Sequence, residues 1–101
     1  MKKLKEYNKN GFKFTLLKRI GDIAAFEGVR ESGAITFEVI HIQSHDGREI
    51  HGNVVVPSEY PPSNAQWGSK GWTYQTDSGA QDRFYKEVEK LDNLKGRLGD
   101  V

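Results

Sequence analysis

Two tryptophans, a tyrosine and a lysine fall within eight residues, in the run Trp67-Gly68-Ser69-Lys70-Gly71-Trp72-Thr73-Tyr74. Large rings beside a cation are the side chains that stack on nucleic-acid bases or anchor a protein interface. The same rings serve equally well to pack a long loop back onto a sheet edge. Trp72, continued by Thr73 and Tyr74 in an extended run, is the expected anchor. Trp67, flanked by Gln66, Gly68 and Ser69, is the ring expected to face a partner. The predicted binding residues are Trp67, Lys70, Trp72 and Tyr74, joined by Lys3 and Lys5 near the N-terminus.

His41, His45 and His51, with Asp46 and Glu49 nearby, raise the question of a metal. If Asp46-Gly47 is a two-residue turn, His45 pairs with Arg48, and His41 and His51 point to opposite faces. If His45-Asp46-Gly47 is a three-residue loop, His51 lies opposite His41 and the two imidazoles share a side. Two histidines without a third ligand make a poor zinc site in either register. No metal is expected, and polar pairing across strands is the expected use of these residues.

Catalytic patterns are missing. The chain has no cysteine and no G-x-S-x-G, and turn composition accounts for the adjacent Ser44 and His45. Glu38, Glu49 and Glu59 could supply a glycosidase-type carboxylate pair, but any small domain offers such pairs. Neither phosphate-binding glycine pattern occurs; Gly68-Ser69-Lys70-Gly71 lacks the strand before it and the helix after it. No catalytic residue and no cofactor is predicted.

The chain of 101 residues is sized for one domain with one core, and its 11 % aromatic content argues against wholesale disorder. Lys and Arg total 15 against 14 Asp and Glu, a balance that disfavours a strongly cationic nucleic-acid binder. The distribution is uneven: residues 1–20 carry seven basic side chains and one acid, leaving eight basic and thirteen acidic groups beyond. That arm either approaches phosphates or an acidic partner, or is simply solvated. No apolar run nears the ~20 residues of a membrane span, and the first residues do not read as a secretory signal. The absence of cysteine fits a reducing cytoplasm.

Alternation of apolar and polar residues predicts strands at 12–16 and 23–29, separated by turn signals at Asn10-Gly11, Gly21-Asp22 and Glu31-Ser32-Gly33. Gly28 marks a bulge or a close backbone approach. Residues 34–43, rich in β-branched and aromatic side chains, predict a central strand covered on both faces. Ser44-His45-Asp46-Gly47 reads as a hairpin turn, and residues 49–56 as the returning fourth strand, ended by Pro57. Residues 57–71 form a long loop, in which Ser63 could cap a single turn stopped by Gly68. A short extra strand at 72–75 precedes a helix from Thr76 or Ser78. Ala80, Phe84, Val88 and Leu91 make its apolar stripe, and Gly96 its stop.

The segment Pro62-Ser63-x-x-Gln66-Trp67-Gly68-x-x-Gly71-Trp72-Thr73, with Phe37-Glu38-Val39-Ile40 upstream, resembles a family of small uncharacterised proteins of tailed bacteriophages. The resemblance runs from about Gly11 to the helix near Leu91. It implies expression in an infected bacterium, hence the host cytoplasm, and a target among host or phage macromolecules. It carries no catalytic or cofactor residue.

The expected fold is α+β: an antiparallel sheet of about four strands in β-β-β-β-α order, with one C-terminal amphipathic helix packed on one face and the other face free. Residues 1–10 are expected as a basic arm, 11–95 as one domain and 96–101 as a flexible tail. The expected function is a non-enzymatic binding protein that occupies a macromolecular surface, with a protein as partner, and would inhibit a host defence or redirect a host enzyme. The alternative is a nucleic-acid module using the basic arm with Trp67, Trp72 and Tyr74. A nucleotide-like small molecule is the weaker third reading.

Overall fold

Asn10 and Gly11 both adopt positive φ, 53° and 81°. That pair is what a two-residue hairpin turn following the right-handed strand twist demands. It joins strand β1 (Glu6–Lys9) to β2 (Phe12–Ile20), so these four residues of the expected arm belong to the sheet. In the computed structural model, which describes residues 3–45, 48–50, 53–55 and 58–99 and side chains over 3–45 and 58–91, β3 (Ile23–Val29) and β4 (Ile35–His41) extend the meander. β5 (Gln43–His45), β6 (Arg48–Ile50), β7 (Asn53–Val55), β8 (Ser58–Tyr60), a 3-10 turn (Asn64–Gln66), β9 (Gly71–Tyr74) and helix α1 (Asp77–Gly99) follow. The main sheet is antiparallel with order β1-β2-β3-β4-β9, and the fold is α+β as expected.

The strand beside β4 is not the one expected. β9 pairs with β4, whereas 48–50 pairs with 53–55 and 43–45 with 58–60 in separate two-stranded ribbons. Local closure of a hairpin is entropically cheap, and Trp72 and Tyr74 bring far larger apolar surfaces to β4 than valines would. His45 lies opposite Ser58 and Arg48 opposite Val55, so His45 does not pair with Arg48. Asp46, Gly47, His51, Val56 and Pro57, on which the rest of those expectations rest, lie outside the described residues.

Helix α1 starts at Asp77, where the Thr76 hydroxyl accepts the Gly79 N–H at 3.2 Å. It continues past Gly96 to Gly99, since one helical glycine costs only about 1 kcal/mol and does not by itself stop a helix. Ala80 and Phe84 are buried, with Val88 and Leu91 beside them, against Ile23, Ala25, Phe37 and Val39. The opposite face of the sheet is not free, contrary to expectation. Leu4, Phe14, Ala24, Phe26, Ile40 and Ile42 form a second buried cluster there, flanked by Tyr7, Phe12, Leu16 and Trp67. Gly28 makes this closure fit: a Cβ at that position would sit 2.4 Å from the Phe14 ring. The bulge itself is in β2, between Leu16 and Lys18. Among the described residues no helix is long and apolar enough to cross a membrane.

Candidate functional site

Trp72 and Tyr74 alternate to one side of β9 while Trp67 precedes that strand, so the aromatic group that the sequence places together is split. Trp72 and Tyr74 pack on the helix-side cluster, whereas Trp67 packs on the cluster of the other face. Both tryptophans are half-buried, so neither is the free ring or the sole anchor expected.

On the face away from the helix, Ser63 precedes the 3-10 turn and its N–H donates to the Gln66 side-chain oxygen at 3.0 Å. Trp67 then lies flat over Gly71, where a Cβ would come within 2.4 Å of its ring. Its Nε1–H donates to Thr73 Oγ1 (3.0 Å), which donates to Glu38 Oε2 (3.0 Å). Glu38, only 3 % exposed, also accepts from the Tyr7 hydroxyl (2.6 Å) and Lys9 Nζ (3.2 Å). Lys9 Nζ sits 3.3 Å from the centroid of the Trp67 ring, so its charge is held between a carboxylate and an indole face. Burial, then the hydrogen bond and charge of Glu38, push the Tyr7 phenol far above its ordinary range, so it stays a neutral donor. Every polar group here is answered by another within the cluster. The arrangement is a clamp that ties β1, β4, β9 and the 61–70 loop together.

The helix side is built differently. Glu87 of α1, also 3 % exposed, receives His41 Nε2 of β4 at 2.9 Å, Lys90 Nζ at 3.1 Å and Arg83 Nη1 at 3.4 Å. Burial pushes the Glu87 carboxyl up, but the hydrogen bonds from His41, Lys90 and Arg83 and the charge of Lys90 outweigh it and hold it below the usual range. Arg83 Nε donates to the Tyr74 hydroxyl at 2.9 Å, and its guanidinium carbon lies 4.6 Å from the Trp72 ring centroid. The His41 ring lies 5.8 Å from the same indole. Lys70 is exposed, and its carbonyl accepts the His41 N–H at 2.8 Å. Tyr74, Gly79, Asp82, Arg83 and Lys86 line an adjoining depression of about 290 Å³. Around Trp72, then, Arg83 and Lys90 both pair with Glu87, and Lys86 and Asp82 line the adjoining depression.

Lys3 and Lys5 are exposed and lie away from both tryptophan groups, bordering a groove with Leu4, Glu6, Ser58 and Glu59. Glu59 accepts two hydrogen bonds from Arg19 (2.6 and 2.8 Å) and one from the Leu4 N–H (2.9 Å). The Arg19 hydrogen bond, with smaller help from the Leu4 N–H and nearby charge, outweighs burial and lowers its carboxyl to about 2. Glu38 and Glu59 therefore belong to separate networks, and the side chain of Glu49 lies outside the described residues. Among the described residues no three His, Cys, Asp or Glu side chains converge as a metal set. Of the residues grouped in the sequence, Trp72 and Tyr74 share the helix-side cluster, Trp67 lies on the other face, and Lys70 joins β4 through its carbonyl. Sequence reading missed Arg83 and Glu87, whose signal was a charged i, i+4 pair one turn from the apolar stripe, and it missed the tie between His41 and the helix. Comparison with protein families, curated proteins and solved structures finds no match to this chain.

Proposed function

We propose that this protein is a non-enzymatic binding module of phage type that docks an acidic surface of a protein partner against the helix-side edge around Trp72. The observation that carries the reading is the half-buried Trp72 indole, with Arg83 4.6 Å and His41 5.8 Å from its ring and Lys86 beside the adjoining depression. Trp, Tyr and Arg dominate interface energetics, and a ring already held in place loses little entropy on binding. Complementary charge steers the approach of an acidic partner and fixes its register. The division of Trp67 from Trp72 and Tyr74 across two faces leaves no continuous run of rings for successive bases, and this favours a protein over a nucleic-acid strand. The likeness of residues 62–73 to small proteins of tailed bacteriophages supports a partner inside an infected cell.

The test uses a Trp67→Phe protein, in which emission reports Trp72 alone. Titration with an octaglutamate peptide at low ionic strength is expected to change that emission saturably. Lys70→Glu with Lys86→Glu should weaken binding about tenfold, and added salt should weaken it progressively. Tighter saturable binding of an oligothymidylate would transfer the site to the nucleic-acid reading. An emission unmoved by both probes would overturn the assignment of this edge.

A further inference from the structure

The groove beside the N-terminal segment has a volume of about 580 Å³, within the range of small-molecule sites. Both acids on its wall are answered by cations lying outside it. Glu59 is chelated by Arg19, and Glu6 lies 3.6 Å from Lys13. Lys3 and Lys5 are exposed on the same wall, and no ion pair is formed by either among the described residues. Lys3 adds to the field that lowers Glu59 but makes no contact with it. A third group faces the groove: Ser58, whose Oγ lies 2.8 Å from His45 Nε2 across the β5–β8 pair. When His45 carries its proton on Nε2 and donates to Ser58 Oγ, the hydroxyl proton is left to donate into the groove.

We infer that this groove is an anion site for a phosphate group, with Lys3 and Lys5 as the point charges and Ser58 as the orienting donor. Two ammonium groups supply charge without a fixed geometry, and the hydroxyl supplies direction. The phosphate is either the free ion or part of a mononucleotide, whose base the groove has room to take. The site shares no residue with the Trp72 edge and stands whether or not that edge binds a protein.

The experiment is a titration of uniformly ¹⁵N-labelled protein, observed by amide resonances, with inorganic phosphate, adenosine monophosphate, adenosine and sodium chloride at matched ionic strength. Phosphate and the nucleotide should shift the amides of residues 3–6 and 58–59 saturably, with no such response to adenosine or chloride. Tighter binding of the nucleotide than of phosphate identifies a nucleotide as the source, and equal affinity identifies phosphate itself. Lys3→Gln with Lys5→Gln should weaken binding at least about tenfold, and Ser58→Ala about threefold, with other resonances unmoved. Chloride reproducing the shifts, adenosine matching the nucleotide, or the double lysine variant binding like the unaltered protein would each overturn the site.

Discussion

The two faces of the sheet at β4 and β9 each hold a buried glutamate and a tryptophan, yet their charges are balanced differently. On the face away from the helix, Glu38 meets one cation, Lys9, and that cation is spent between the carboxylate and the Trp67 ring. On the helix face, Glu87 meets three basic side chains, and exposed lysines stand beyond them. A cluster whose charges cancel within itself stabilises the fold. The cluster with excess charge beside an ordered ring is the edge proposed to dock a partner.

Removing each carboxylate gives the largest expected contrast. Glu38→Ala strands the Tyr7 hydroxyl, the Thr73 hydroxyl and the Lys9 charge beneath a ring, and should cost about 3–5 kcal/mol in urea melts. Glu87→Ala frees the largely exposed Lys90 to rehydrate and leaves Arg83 its Tyr74 partner, so about 1–2 kcal/mol is expected. Equal losses would mean the two faces do not differ in kind. Truncation of the rings follows. Trp67→Ala should cost about 3 kcal/mol, because it also unseats Lys9 and Thr73, and Trp72→Ala about 2 kcal/mol. Only the second should impair binding of an acidic peptide.

Acid titration probes the remaining pair on the closed side. The folded carboxyl of Glu59 sits near 2, below the ordinary 4.5. Its contribution is therefore complete above about pH 4.5 and is lost as pH falls towards 2, about 3 kcal/mol in all. Replacing Arg19 with Gln should flatten that part of the stability-against-pH curve from urea melts, leaving the protein weaker at neutral pH. The smallest effect on stability is expected of Lys70→Glu and Lys86→Glu, under about 0.5 kcal/mol each. Those two should nonetheless reduce octaglutamate binding most among the surface changes.

Much of this frame is written in local pattern. β2, β3 and β4 follow from alternation and turn residues, and the stripe Ala80, Phe84, Val88 and Leu91 gives the helix and its buried side. β1 escapes local reading because Glu6, Asn8 and Lys9 look like a solvated arm, and only pairing with β2 makes them a strand. The edge beside β4 was expected to be residues 49–56, and its occupation by β9 depends on rings whose cluster is completed by residues of α1. Glu87 resembles any surface acid until His41, 46 residues earlier in the chain, arrives to meet it. The polar half of both sites is thus a product of distant pairing, which periodicity does not carry.

The two indole Nε1–H resonances of the unaltered protein test the contrast most directly, because each tryptophan reports from its own face in one sample. Trp67 donates its N–H to Thr73 within the closed clamp, whereas Trp72 lies between Arg83 and His41 on the cationic edge. Addition of octaglutamate is predicted to move the Trp72 signal saturably and leave the Trp67 signal in place. Movement of the Trp67 signal with Trp72 unchanged would contradict the division of the sheet into a closed face and a binding face.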